Sequence, residues 1–419
     1  MFALVDCNNF YASCERVFQP QFNKVPVAIL SNNDGCFISR SDEAKKVGLP
    51  MGAPAFKYKE FCKKHKIKIF SSNYPLYGDM STRVMNILKQ FSPDLEVYSI
   101  DEAFLQFKGF KNYDFDAYGK RMQYKVEKST GIPISIGIAS TKALSKVANK
   151  IAKKFKDRTG GVFVIDSDVA RVKALKWSKI ETVWGIGSGN LKRLQTKNVK
   201  TAFDFTQLPD EWVKKNMAIT GLRLKKDLEG IATIMLDDNH KNKKTIATTR
   251  SFESTFSDIE NIKERISTFA GSCAEKLRVQ QSSCTKVSVF LRSDRHKKDQ
   301  RQDKSSACII LPFASNSTLT ISNSAIKAVE SIYKEGVNYK KAGVIVSDLV
   351  ATTGYQLNLF QKENPKHKLL MKTFDAVNTR WSGHKIKIGN QDLKRTWKMR
   401  QEHLSPKYTT DINDIIVVK

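Results

Sequence analysis

The chain has 419 residues, 41% of them hydrophobic, and its 71 Lys+Arg against 42 Asp+Glu leave a formal charge of +29. That length suits roughly two to four packed domains. The sequence has no apolar run long enough to span a bilayer, and its N-terminus lacks the basic-then-apolar pattern of a signal peptide, so a soluble, cytoplasmic protein with no membrane partner is expected. A positive excess this large, with its basic residues clustered, points to a polyanionic partner. The cysteines (Cys7, Cys14, Cys36, Cys62, Cys273, Cys284, Cys308) are odd in number and scattered, without C-x-x-C or a His at zinc-finger spacing, so reduced thiols are expected rather than a disulfide framework or a zinc site.

In chain order, Met1-Phe2-Ala3-Leu4-Val5 is an apolar strand ending in Asp6, with Cys7-Asn8-Asn9 as its turn. Residues 10–18 have helical spacing and stop before Pro20. A strand at 25–30, a polar loop at 31–35, a strand at 36–39 and a helix at 41–47 ended by Gly48 and Pro50 make a small module that runs to about residue 74. From 74 to 166 the pattern predicts a helix over 77–91, an acidic hairpin, a helix over 115–129, a strand over 132–139 and a basic helix from Lys142. With the N-terminal strand this order suits a split βαβ sheet backed by helices.

The acidic hairpin is Val97-Tyr98-Ser99-Ile100-Asp101-Glu102-Ala103-Phe104-Leu105, two adjacent carboxylates within a β-favouring apolar run. Taken singly, Asp6 reads as a turn or cap residue and Asp101-Glu102 as a hairpin tip. Taken together, three carboxylates at strand ends, with no His or Cys ligand set, suit two Mg²⁺ ions clamping a triphosphate for in-line nucleotidyl transfer.

Residues 166–236 read as a helical unit, in which Gly185-Ile186-Gly187-Ser188-Gly189-Asn190-Leu191 leads into a helix. Such a turn lets a phosphate approach backbone N–H groups at the positive helix end, and it also serves as a plain helix joint. A polar linker, 237–244, follows. Residues 245–352 then read β-α-β-β-α-β. The central hairpin of that unit carries Arg292, Arg295, Lys297, Lys298, Arg301 and Lys304, diluted by Asp294, Asp299 and Asp303; it suits nucleic-acid phosphates and is equally an ordinary solvated loop. The tail, 353–419, is Lys/Arg-rich with Trp381 and Trp397, opens with Gln356-Leu357-Asn358-Leu359-Phe360 and ends in an apolar run, so a small apolar docking plug is expected there.

Asp6-Cys7-Asn8-Asn9-Phe10-Tyr11-Ala12-Ser13-Cys14-Glu15 and Tyr98-Ser99-Ile100-Asp101-Glu102-Ala103-Phe104 resemble the two catalytic motifs of Y-family translesion DNA polymerases. The likeness continues through 35–52, 137–153 and the Gly185-Ile186-Gly187 hairpin, covering nearly the whole chain. Ser31-Asn32-Asn33-Asp34-Gly35-Cys36 and Ser71-Ser72-Asn73-Tyr74 are most similar to the UmuC branch, the catalytic subunits of bacterial DNA polymerase V.

The resemblance implies an α+β right-hand polymerase: a ferredoxin-like palm (1–10 and 74–165), small fingers (11–73), a helix-hairpin-helix thumb (166–236) and a little finger (245–352). Asp6, Asp101, Glu102 and the backbone carbonyl of Cys7 would hold two Mg²⁺ ions. Tyr11 matches the family's steric gate against a ribose 2′-OH, with core packing against Phe10 and Phe37 as its bland alternative. Lys153 matches a triphosphate lysine, while Lys142, Lys146 and Lys150 on the same helix read as solvated. Where stand-alone members place a Tyr and an Arg on the phosphates this chain has Asp42 and Lys45, with Arg40 as a candidate replacement. Gln356, Leu357, Leu359 and Phe360 resemble a sliding-clamp peptide, and the rest of the tail resembles a region that contacts a processed UmuD dimer. The family also implies a RecA filament as activator, primer-template DNA and dNTP as substrates, and an SOS-type response.

No second acidic, exonuclease-like domain is visible, so no proofreading is expected. Two rival classes have less support. A nucleotide cyclase expects Gly-Gly before the acidic pair, where this chain has Ser99-Ile100. A silent clamp-tethered scaffold has no need of all three carboxylates.

Overall fold

A computed structural model describes residues 1–110, 112–237, 242–297, 299–352, 364–381, 385–393 and 399–416. The chain divides into two compact units, Met1–Asn239 joined by Gln401–Lys419, and His240–Arg400. The tail read from sequence as one piece is therefore divided at residue 400.

In the first unit, β1 (Phe2–Cys7) leads into α1 (Phe10–Phe18) through Asn9, which takes the left-handed conformation. A small sheet follows, β2 (Val27–Leu30), β3 (Phe37–Arg40) and β4 (Lys68–Ser71) in the order β3-β2-β4, with α2 (Asp42–Lys46) and α3 (Lys59–Lys64) between its strands. Ser41 caps α2 by accepting from Ala44 N at 3.3 Å. The next helix, α4, spans Tyr74–Leu88, a turn earlier than the 77–91 read from apolar spacing. Asn73 caps it, and Pro75 at its first turn needs no N–H partner there.

The acidic hairpin is β5 (Asp94–Val97) and β6 (Glu102–Gln106), followed by α5 (Phe115–Thr130), β7 (Ile134–Ala139), α6 (Lys142–Lys154), the short α7 (Lys156–Thr159) and β8 (Val162–Val164). These strands and β1 form a five-stranded sheet in the order β5-β6-β1-β7-β8. The N-terminal strand is thus flanked on both sides, and its apolar residues are buried on both faces. Gly137 is what lets α6 lie against this sheet. A Cβ there would sit 2.0 Å from Asn149 N and 2.3 Å from Ser145 O, both backbone atoms of α6. Four helices complete the unit: α8 (Asp168–Trp177), α9 (Ser188–Gln195), α10 (Ala202–Thr206) and α11 (Asp210–Leu228).

The second unit contains β9 (Ile246–Phe256), α12 (Ile259–Val279), β10 (Ser282–Ser293), β11 (Lys304–Ser315), α13 (Thr318–Ile332) and β12 (Tyr339–Ala351). Its sheet, β11-β10-β12-β9, is antiparallel throughout, with Ile262, Ile266, Phe269 and Ile321 of the two helices in one core with Val287, Val289, Val344 and Val346. The helix α14 (Pro365–Arg380) is held by a two-toothed ion pair, Arg278 to Asp375 at 2.6 and 2.7 Å. Among the described residues no helix is long and apolar enough to cross a membrane.

Candidate active site

Strand register brings the first two acidic positions together: Asp6 of β1 stands opposite Glu102 of β6. Cys7 N donates to the Asp101 carbonyl at 2.8 Å, tying the end of β1 to the turn that carries the other two carboxylates. That turn is built by Ser99. Its Oγ donates to Asp101 Oδ1 at 2.6 Å and accepts from Asp101 N at 3.3 Å and Glu102 N at 3.0 Å, so the two acidic side chains leave the strand from a fixed backbone.

Charge crowding is visible at Asp6. Burial pushes its carboxyl up to about 6 despite the pull of Lys153, and the nearby Glu102 and Asp101 carboxylates push the same way. Lys153 Nζ lies 2.5 Å from Asp6 Oδ1, and Lys146 Nζ lies 3.0 Å from both oxygens of Glu102. Both lysines come from α6, seated by Gly137 over the same sheet. With its lysines on two of the acids, no group of three His, Cys, Asp or Glu side chains among the described residues is gathered as a ready metal cage. The donor chemistry still fits a hard divalent cation: Asp6 and Glu102 face each other on adjoining strands, Asp101 leaves the turn beside them, and lysines already answer their charge.

Lys146 also stands over the ring of Tyr98 at 4.5 Å and near Trp184 at 5.6 Å, and Trp184 Nε1 donates to Tyr98 OH at 2.9 Å. An open cleft of about 310 Å³ adjoins these groups, lined by Leu4, Glu102, Lys146, Asn149, Lys153 and Trp184 among others. Lys142, one turn earlier on α6, is buried in an ion pair with Glu96 at 2.7 Å. Neither Lys142 nor Lys146 is a solvated residue as the sequence suggested. Helical lysines four apart read as a wet face, and their acidic partners lie 46 and 44 residues away in sequence.

Tyr11 lies flat against Tyr77, ring centres 4.5 Å apart with planes 19° from parallel, and meets the edge of Tyr74 at 6.0 Å. Phe10 is 5.8 Å away, and Phe37 sits in the core of the small sheet. Burial pushes the Tyr11 phenol up to about 12, with Tyr74 and Asp101 adding to it. Lys45 reaches Asn9 Oδ1 in the turn after β1 and pairs with Asp42 at 3.0 Å. Arg40 instead donates to the Leu49 carbonyl, just beyond α2.

The remaining sequence candidates lie elsewhere on the chain. Gly185 takes φ +83° and Gly187 opens α9, whose first turn carries no side-chain cap. Arg292, Arg295 and Lys297 belong to the end of β10 and the loop after it, with Arg292 5.0 Å over the Phe290 ring. Asp303 does not dilute that basic surface: its side chain is buried and held by Lys334 at 2.6 Å. Lys298 and the peptide Gln356, Leu357, Leu359 and Phe360 lie outside the described residues.

Residues 5–150 match the impB/mucB/samB family, residues 243–359 match the impB/mucB/samB family C-terminal domain, and residues 368–418 match a domain of unknown function. Protein UmuC of Salmonella typhimurium is 36% identical over 422 residues, covering all of both chains. DNA polymerase IV of Clostridium acetobutylicum is 23% identical over 87% of this chain and 89% of its own. Among solved structures, a chimeric Y-family DNA polymerase matches with a TM-score of 0.66 at 20% identity, over 84% of this chain and 100% of that one. The chain therefore belongs to the impB/mucB/samB family and has the α+β fold of the Y-family DNA polymerases.

Proposed function

We propose that this chain is an error-prone translesion DNA polymerase subunit, adding dNTPs to a primer opposite damaged template bases within an SOS-type damage response in the cytoplasm. The observation that carries the reading is the convergence of Asp6, Asp101 and Glu102 on adjoining strand ends, under two lysines of α6 and beside Tyr11. In this reading residues 1–10 and 74–165 are the palm, 11–73 the fingers, 166–236 the thumb and 245–352 the little finger, with 237–244 as linker and 353–419 as a partner-binding tail.

Asp6, Asp101, Glu102 and the Cys7 carbonyl would hold two Mg²⁺ ions, which supply Lewis-acid activation of the primer 3′-OH and neutralise charge on the α-phosphate and leaving pyrophosphate. The chain's own residues do the rest. Tyr11, pinned on Tyr77, closes the space a ribose 2′-OH needs. Lys153 offers a cation beside the acidic cluster, and Lys45 another at the Asn9 turn, where triphosphate oxygens would lie; Arg40 is a third candidate from the same small sheet. Gly185 and Gly187 leave backbone N–H groups of α9 open to a DNA phosphate. Arg292, Arg295, Lys297 and Lys298 give the second unit a phosphate-facing loop without base recognition. Gln356-Leu357-Asn358-Leu359-Phe360 would dock on the sliding clamp, and the tail on a processed UmuD dimer, with a RecA filament as activator.

The test is primer extension across a template abasic site with Mg²⁺, clamp and clamp loader, with and without UmuD dimer and RecA filament. Insertion opposite the abasic site that disappears in Asp101→Ala is expected. Intact DNA binding with no insertion in any combination would leave the clamp-tethered scaffold as the better reading.

A further inference from the structure

The segment after residue 400 returns to the first unit and packs on its surface, with Ser405 buried. Its backbone pairs with the end of β4, Ser71 N donating to the His403 carbonyl at 2.9 Å and His403 N to Ser71 Oγ at 3.0 Å. Gln401 Nε2 donates to the Ser72 carbonyl at 2.9 Å. Further on, Tyr408 stacks on Phe18 of α1, ring centres 4.7 Å apart and planes 8° from parallel.

Between these anchors the segment reaches Asn73 and Glu15. Asn73 Nδ2 lies 2.9 Å from Ser405 Oγ and 3.1 Å from the Ser405 and Pro406 carbonyls, while Asn73 Oδ1 caps α4. Ser405 Oγ donates to Glu15 Oε1 at 3.0 Å, and the same oxygen accepts from Tyr77 OH at 2.6 Å. Glu15, Tyr77 and Asn73 are all fully or nearly fully buried, and among the described residues Glu15 Oε2 has no partner, so the two hydroxyls are what satisfy this carboxyl. A buried acceptor that loses a donor must shift or take up a proton, and its neighbours shift with it. The neighbour here is Tyr77, whose other face carries Tyr11.

We propose that the C-terminal segment is a positioning element for sugar selection: Ser405 and Asn73 hold Glu15 and Tyr77 in place, and Tyr77 sets where the Tyr11 ring stands against the incoming nucleotide. The inference rests on the reading of Tyr11 as the sugar gate. Ser405 touches neither substrate nor metal ligand; it acts through Glu15 and Tyr77. The last part of the stretch that matches a domain of unknown function, residues 401–418, thereby gains a role in choosing deoxynucleotides.

The experiment measures kcat/KM for a dNTP and for the matching rNTP on an undamaged primer-template, using the full chain with its partners, for the parent, Ser405→Ala, Tyr408→Ala and Tyr11→Ala. Tyr11→Ala relaxes sugar discrimination. Ser405→Ala relaxes it in the same direction by about fivefold, the factor that one hydrogen bond's net free energy carries, mostly through a lower rNTP KM, while dNTP insertion is retained. A merely structural contact would lower both substrates together and leave their ratio alone. Tyr408→Ala removes the stack on Phe18 and leaves the Ser405 and Tyr77 hydrogen bonds to Glu15 in place, and it decides the matter if Ser405→Ala fails to fold. Relaxed discrimination in Tyr11→Ala with an unchanged ratio in both tail variants would overturn the inference alone. An unchanged ratio in Tyr11→Ala would overturn the gate reading, and the inference with it.

Discussion

Lys153 Nζ stands 2.5 Å from Asp6 Oδ1, so the cation proposed for a triphosphate is held by one of the carboxylates that would bind the metals. The two roles share one charge. Metal ions held by the acidic cluster would free Lys153 for the substrate, and its worth would then read out as nucleotide affinity. Lys153→Ala should therefore raise the dNTP KM and lower kcat/KM by roughly ten- to a hundredfold, the range of a charge-assisted hydrogen bond. Lys153→Arg, which keeps the charge, should lose less. Steady-state insertion kinetics check this, and a dNTP KM equal to the parent's in Lys153→Ala would remove the residue from the triphosphate site.

Asp101 leaves the chain at a turn whose backbone is fixed by Ser99 rather than by its own side chain. Removing that carboxylate should leave the fold and the DNA-facing surfaces in place. Asp101→Ala is expected to cost at least about a thousandfold in insertion, because metal clamping supplies several kcal/mol of transition-state stabilisation. Primer-template affinity measured by fluorescence anisotropy should stay near the parent value. An equal loss of binding would contradict the assignment.

Gly137 has no room for a methyl group. The contact atoms are backbone N and O of α6, which cannot rotate away as a side chain would, so helix and sheet must separate. Gly137→Ala should destabilise the first unit by about 3 kcal/mol or more. Insertion activity should fall with it, since α6 carries both Lys146 and Lys153. A denaturation midpoint matching the parent's would show that α6 can slide over β7 at little cost.

The sequence carried the local features of the site well. An apolar strand ending in Asp6 and a β-run interrupted by Asp101-Glu102 are patterns that period and propensity expose, and the β-α-β-β-α-β unit follows from the same signals. Partners distant along the chain were not legible. Lys142 and Lys146 look solvated until Glu96 and Glu102 fold beneath them, and nothing in the run 10–18 announces that Ser405, 390 residues away, will hydrogen-bond Glu15. Hydrophobic pattern marks which face of an element is apolar, but it does not say which polar residue will be buried by a later segment.

The proposed clamp peptide, residues 356–360, yields a prediction that needs no knowledge of its conformation. If Leu359 and Phe360 are its anchors, replacing both by Ala removes most of the apolar area that such a short peptide can bury. Synthesis stimulated by the clamp should drop toward the clamp-free level, with clamp-free synthesis unchanged. A full clamp response in the double variant would leave these residues as ordinary tail sequence.

Glu15 gives stability a pH dependence of unusual sign for a carboxylate. Burial pushes its folded-state value from the ordinary 4.5 up to about 7, against the pull of the Tyr77 and Ser405 hydroxyls. Below pH 4.5 the group is protonated in both states and costs nothing. Between there and 7 the unfolded chain releases the proton while the folded chain keeps it, so folding weakens as pH rises, levelling off above 7 at a cost of about 3 kcal/mol. Glu15→Gln keeps an acceptor for both hydroxyls and cannot ionise. Its midpoint for urea unfolding of the first unit, taken relative to the parent, should therefore climb between pH 5 and 7.5 and then flatten. Parallel midpoints across that range would mean that Glu15 is already ionised when folded, held by its two hydroxyl donors.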